Sequence, residues 1–176
     1  MMPTVEIVEA TYQEGNERVV EHVHLLGADE FSRDPLTFAG FPIAPKASGA
    51  PTYSYERWFR MRFNPPFVQV FDLRFWTPGL ALPPGWSLLW GPSQTFHTPK
   101  DSASAIAVNP LPTDRPEEPN ISIEEPLLGG EGEPRHSPWI VLQAMVSGDA
   151  DVGPMLGFTA EGAPEAVDYR FEWTEV

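Results

Sequence analysis

Two runs of strict alternation, one on either side of a double proline, set the pattern of this chain. From Tyr53 onward, Tyr55, Arg57, Phe59, Met61 and Phe63 fall on one side of an extended backbone, and Glu56, Trp58, Arg60 and Arg62 on the other. That is the period-2 signature of a strand with one apolar and one charged face. After Asn64-Pro65-Pro66, where two rings bar helix and remove two ladder donors, Phe67, Gln69, Phe71, Leu73 and Phe75 alternate with Val68, Val70, Asp72, Arg74 and Trp76. The two runs read as a hairpin. A third strand follows the turns at Pro78-Gly79 and Pro83-Pro84-Gly85, with Trp86, Leu88 and Trp90 on one face.

The same reading extends to both ends of the chain. Thr4 to Tyr12 reads as a strand in which adjacent Ile7 and Val8 mark either a bulge or burial on both faces. Gln13-Glu14-Gly15-Asn16 is a turn, and a second strand runs from Arg18 to Leu26. Ala103 to Val108 reads as a further short strand. Trp139 to Val146 places Ile140, Leu142, Ala144 and Val146 opposite Trp139, Val141, Gln143 and Met145. At the far end Val167, Tyr169, Phe171 and Trp173 alternate with Asp168, Arg170, Glu172 and Thr174, the pattern expected of a strand inside a sheet. About eight strands predict an all-β, two-sheet antiparallel sandwich of jelly-roll or immunoglobulin-like type with extended loops.

Two segments break the pattern within the single domain predicted for residues 1–176. Residues 27–52 hold few large apolar side chains among Pro35, Pro42, Pro45 and Pro51, and read as a long loop or an arm. Residues 109–138 alternate prolines with acidic side chains around Gly129-Gly130 and read as an extended arm without a core of its own, in which Ile121 and Ile123 pair at most as an edge strand.

Charge and composition narrow the function classes. The formal net charge is −14, so the average surface repels phosphate backbones and anionic membranes, which argues against direct nucleic-acid or membrane partners. The absence of cysteine removes disulfides, thiolate zinc sites and cysteine nucleophiles. The first residues carry no basic segment followed by an apolar run, which predicts synthesis in a cytoplasm without an export signal.

Candidate chemistry is thin. His22 and His24 lie two apart on a strand and are the candidate metal ligands, with Glu30 near in sequence. The cupin family uses such a His-x-His pair together with a further histidine after a Pro-x-Gly turn. Here Pro83-Pro84-Gly85 is followed by Leu88 at that place, so a polar face is the preferred reading. Asp149-Ala150-Asp151 lacks the glycine and glutamate of a calcium loop, and Glu117-Glu118 and Glu124-Glu125 lie in the proline-rich segment rather than beside an aromatic pocket. No nucleophile elbow, phosphate-binding loop or dinucleotide fingerprint occurs, and no cofactor is expected. Trp58 and Trp76, on the faces that carry Arg60, Arg62 and Arg74, are expected outside, where tryptophan and arginine anchor protein interfaces. An exposed tryptophan also serves as a glycan platform, so a carbohydrate-binding module is the alternative.

Ser54-Tyr55-Glu56-Arg57-Trp58-Phe59-Arg60 with Phe63, then Asp72-Leu73-Arg74-Phe75-Trp76 and Pro84-Gly85-Trp86, resembles a strand pattern of small structural proteins of tailed-phage virions. In that pattern a Trp-aliphatic-Arg strand leads to an Asn-aliphatic-Arg-Phe-Trp strand; here Phe59 replaces the aliphatic residue and Asp72 the asparagine. Leu142-Gln143, Gly153 and Tyr169-Arg170-Phe171-Glu172 are similar to the closing strands of those proteins. The resemblance covers about half of the chain. It implies a non-enzymatic β-sandwich subunit of the virion that docks on capsid, neck or tail subunits as a decoration or accessory protein, as a homo-oligomer, with Trp58, Arg60, Arg62, Arg74 and Trp76 at the partner interface.

Overall fold

The structure, a computed structural model, describes residues 3–10, 15–20, 49–79, 82, 84–130, 132–148 and 170–176. They contain no helix and eleven strands: β1 (Thr4–Ala10), β2 (Glu17–Val20), β3 (Thr52–Tyr53), β4 (Arg57–Asn64), β5 (Gln69–Trp76), β6 (Trp86–Ser93), β7 (Asn109–Pro110), β8 (Leu127–Leu128), β9 (Arg135–His136), β10 (Trp139–Val146) and β11 (Arg170–Glu175). Eight of them form a large antiparallel sheet in the order β2-β1-β4-β10-β6-β7, with β3 beside β10 and β9 beside β4. The small sheet has the order β11-β5-β8. The two stack as a sandwich, the architecture that the alternation predicts.

The shared core follows the predicted faces of the large sheet. Phe59, Met61 and Phe63 of β4, Leu88 and Trp90 of β6, and Ile140, Leu142, Ala144 and Val146 of β10 meet Leu73 and Phe75 of β5, with Phe171 and Trp173 packed against them. Rings touch across the layers: the centroids of Phe63 and Trp173 are 5.6 Å apart, and those of Phe75 and Trp90 also 5.6 Å. In β1, Ile7 and Val8 are both buried while the register against β4 runs unbroken from Thr4 to Glu9, so that strand is covered on both faces and carries no bulge there.

The predicted hairpin is an arch. β4 pairs in plane with β1, β10 and β9, and β5 with β11 and β8, so the chain crosses from one sheet to the other through residues 65–68. Sheets in a sandwich lie about 10 Å apart, a span that such a turn bridges. The physical reason is that both strands carry a full row of large apolar chains. As a hairpin they would lie side by side and still need a lid; as an arch each row covers the other.

A bulge corrects the face assignment in β5. Along β11, Glu172 faces Arg74 and Thr174 faces Phe71, so three steps on β5 match two on β11. Asp72 takes up the extra residue with φ 55°, in the left-handed region that aspartate and asparagine enter more readily than most side chains. The slip turns Val70 into the core ahead of the bulge and leaves Leu73 and Phe75 inside after it. β11 has β5 as its one strand partner among the described residues, so the final strand stands at the end of the small sheet's order and not inside it.

Residues 109–138 are not a free arm. Leu111 and Ile121 are buried in the main core, and the segment runs along the edge of β5 as a strap. The Asn120 amide imitates a neighbouring strand: Oδ1 accepts from Phe75 N at 2.8 Å and Nδ2 donates to Phe75 O at 2.7 Å. Thr77 N donates to Pro112 O, Ile121 N to Leu73 O and Gly129 N to Val68 O. Edge strands attract unwanted pairing, and this strap occupies the backbone groups that β8 leaves open. Of residues 27–52, those numbered 27–48 lie outside the described residues, and Thr52 begins β3 against β10. Residues 103–108 form no strand; they pack over the outer face of the large sheet, with Ser104 Oγ accepting from Ile106 N and Ala107 N.

Two substitutions test these joints by denaturant unfolding. Asp72→Val forces a β-branched side chain into the left-handed region and lowers stability by about 1–3 kcal/mol, whereas Asp72→Gly is tolerated. Asn120→Ala removes both strand-like bonds, costs about 1–3 kcal/mol and speeds hydrogen exchange of the Phe75 amide; unchanged exchange there would show that the strap is held by other contacts.

Candidate functional site

The expected interface residues are split between two layers. Trp58, Arg60 and Arg62 stand on the outer face of β4 in the large sheet, and Arg74 and Trp76 on the outer face of β5 in the small one, so the structure does not bring the five together. Trp58 is fully buried, which corrects the expectation that it lies outside. A second apolar cluster made by Ala10, Trp58, Ala107, Trp139 and Val141 fills the outer face of the large sheet, and Phe96 and Ile106 pack on it. The Trp58 ring meets Phe96 at 5.1 Å and Trp139 at 6.3 Å, both edge-on. It has no face left for a sugar or a partner, while Trp76 is half-buried.

Backbone capture holds this cover in place. Gln143, fully buried, donates from Nε2 to Ser54 O and Ser102 O, both at 2.8 Å, and accepts at Oε1 from Ser104 N at 2.9 Å. Glu56 accepts from the Trp58 indole N–H and from Lys100 N. Gly91 makes the close approach possible: a Cβ there would lie 2.0 Å from Ile106 O.

The arginines are tied down as well. Arg60 pairs with Glu17 and lays its guanidinium 4.2 Å from the centre of the Trp139 ring. Arg62 donates to Glu6 from Nε at 2.8 Å, and Asn64 Nδ2 donates to the same carboxylate at 2.9 Å. Those bonds, Asn64 first and then Arg62, hold the Glu6 carboxyl below the usual range. Arg74 joins Glu172 at 3.4 Å and donates to Glu117 O, and Arg115 donates to Glu172 from Nε at 2.7 Å, which fastens the strap to β11. The bond from Arg115 is the largest cause lowering the Glu172 carboxyl.

Beside Arg60 and Trp139 the surface opens into a cleft of about 340 Å³, which the sequence offers no signal for. β9, β10 and residues 123–127 form its walls, with Gln94 at one side. Its polar groups are Arg60, Gln94, Glu124, Glu125, His136 and Ser137. His136 sits opposite Arg62 in the β9–β4 register and is half-buried; burial, and next the Arg60 charge, lower its imidazole below 6.5, so it is neutral at pH 7. Other depressions lie at the Asp72 bulge, about 410 Å³, and beside Trp86 and Leu111, about 300 Å³ and largely apolar.

His22 and His24 lie outside the described residues, as do Asp149 and Asp151. Among the described residues no group of three or more histidine, cysteine, aspartate or glutamate side chains is placed to hold a metal ion. What the fold defines is a class, the two-sheet antiparallel β-sandwich with one sheet covered on both faces. Compared with family models, with curated proteins and with solved structures, the chain matches none.

The His136 environment makes stability depend on pH. Its folded pKa lies below the unfolded value near 6.5, so the unfolded chain takes up the proton first. Stability therefore falls as pH drops below about 6.5 and levels off once the folded pKa is passed. The Glu6 and Glu172 contributions are lost in a separate window, as pH falls below 4.5 through their lowered values. In His136→Gln the upper part of this fall is absent from thermal unfolding curves taken across the range; an unchanged upper part would assign it to another group.

Proposed function

We propose that the chain is a structural, non-enzymatic subunit of a tailed-phage virion, docking on the capsid surface as a decoration or accessory protein, or on the neck or tail. The observation that carries this reading is where the resembling residues sit. Trp58 and Arg60 build the outer cluster, Asp72 forms the bulge, Arg74 and Glu172 anchor the strap, and Gln143 captures the covering loop. The likeness therefore falls on the joints of the sandwich, the residues that such a fold needs at those places.

Docking has to use other surface than the buried Trp58. At one end of the small sheet Leu128, Gln69 and Val176 lie side by side across β8, β5 and the residue after β11. Leu128 and Val176 are exposed there, and Val68 beside them is 65% exposed. An apolar end of this kind suits contact with a neighbouring subunit. Single exposed apolar residues are ordinary; two valines and a leucine around one end of the sheet are the feature that supports docking.

Mass spectrometry of purified particles tests the proposal. The expected result is the chain in stoichiometric amount in the virion, and its retention falls in the double variant Val68→Asp, Leu128→Asp with unfolding unchanged. Absence of the chain from particles would end the virion reading; full retention of the double variant would move the docking surface elsewhere.

A further inference from the structure

We propose that the cleft between β9, β10 and residues 123–127 is a binding site for a neutral, hydroxyl-rich ligand, a saccharide, held by Gln94, Glu124, Glu125 and His136. This inference is independent of the virion reading and moves any sugar contact away from Trp58.

The first argument is the supply of uncommitted polar groups. The side chains of Glu124, Glu125 and His136 make no hydrogen bond to other described residues, and Gln94 uses one amide N–H on Ser122 O, leaving the second N–H and the amide oxygen. Two carboxylates, an amide and an imidazole offer both acceptors and donors within one cleft. A hydroxyl group is donor and acceptor at once, so a polyol answers both kinds, and vicinal hydroxyls match a carboxylate in pairs. Ile123 and Leu127 add an apolar wall for the C–H face of a ring. A volume of about 340 Å³ lies at the lower end of the roughly 300–1,000 Å³ of small-molecule sites, enough for one or two sugar rings.

The second argument is charge, and it acts against an anion. Glu17 offsets the Arg60 guanidinium, so two exposed carboxylates remain uncompensated at the mouth and oppose an anion. Neutral His136 adds no positive charge to reverse this. A neutral ligand avoids that penalty, and Gln94, which attracts neither sign, fits that choice.

Saturation-transfer NMR on the purified chain is the test, with neutral hexose and N-acetylhexosamine oligosaccharides, sialylated oligosaccharides and lysine-containing tripeptides as probes. The expected result is transfer to at least one neutral oligosaccharide, weakened roughly tenfold or more in Glu124→Ala and in Gln94→Ala, both exposed positions whose loss leaves folding intact. Transfer to no neutral saccharide at millimolar concentration would overturn the proposal. So would binding confined to the sialylated or the lysine probes, or neutral-sugar binding that both variants retain in full. Either result leaves the presence of the chain in particles to be read separately.

Discussion

A pair of central strands with apolar side chains on both faces cannot be left half in water. β4 and β10 carry Phe59, Phe63, Ile140 and Leu142 inward and Trp58, Trp139 and Val141 outward, all buried. Each aromatic hides about 150–250 Å². At about 25 cal/mol per Å², leaving the outer row bare would cost several kcal/mol, a large share of ordinary domain stability. The rest of the architecture answers this demand. The small sheet covers the inner row, and residues 94–107 cover the outer one.

Covering the outer face with irregular backbone raises a second problem, because buried N–H and C=O groups need partners. Gln143 and Glu56 solve it with side chains that grow out of the sheet itself and bind the loop's own backbone. The strap over β5 applies the same solution at a sheet edge through Asn120. Charge is handled differently: Arg57 and Glu9 pair while almost wholly buried at one end of the core, an arrangement that adds little net stability but makes loss of either partner costly.

These demands explain why the arginine and tryptophan row of β4 is unavailable as an interface. Each arginine has been turned to internal use, by ion pairing with Glu6 or Glu17 and by lying over Trp139. What remains for recognition is the surface between such joints: the cleft at His136 and the apolar end at Val68 and Leu128. Neither was legible beforehand. The cleft gathers residues 60, 94, 124, 125 and 136, which share no spacing, and Val68 looked like one member of an alternating strand.

The alternation along β4, β6, β10 and β11 was readable from residues alone, since side chains on an extended backbone point to opposite faces with period two wherever the strand lies. Strand content, the inward faces of those strands and the all-β class follow from that local rule. Partner choice does not. Whether the chain turns back beside β4 or crosses to the other sheet, whether Asp72 slips the register, and whether Trp58 meets water or the 94–107 loop depend on segments far away in sequence. The proline-rich strap shows the same limit: its acidic and ring-constrained residues look free of any core, and the two that are buried in it, Leu111 and Ile121, stand ten positions apart without periodicity. Local chemistry decided the faces, and long-range packing decided what covers them.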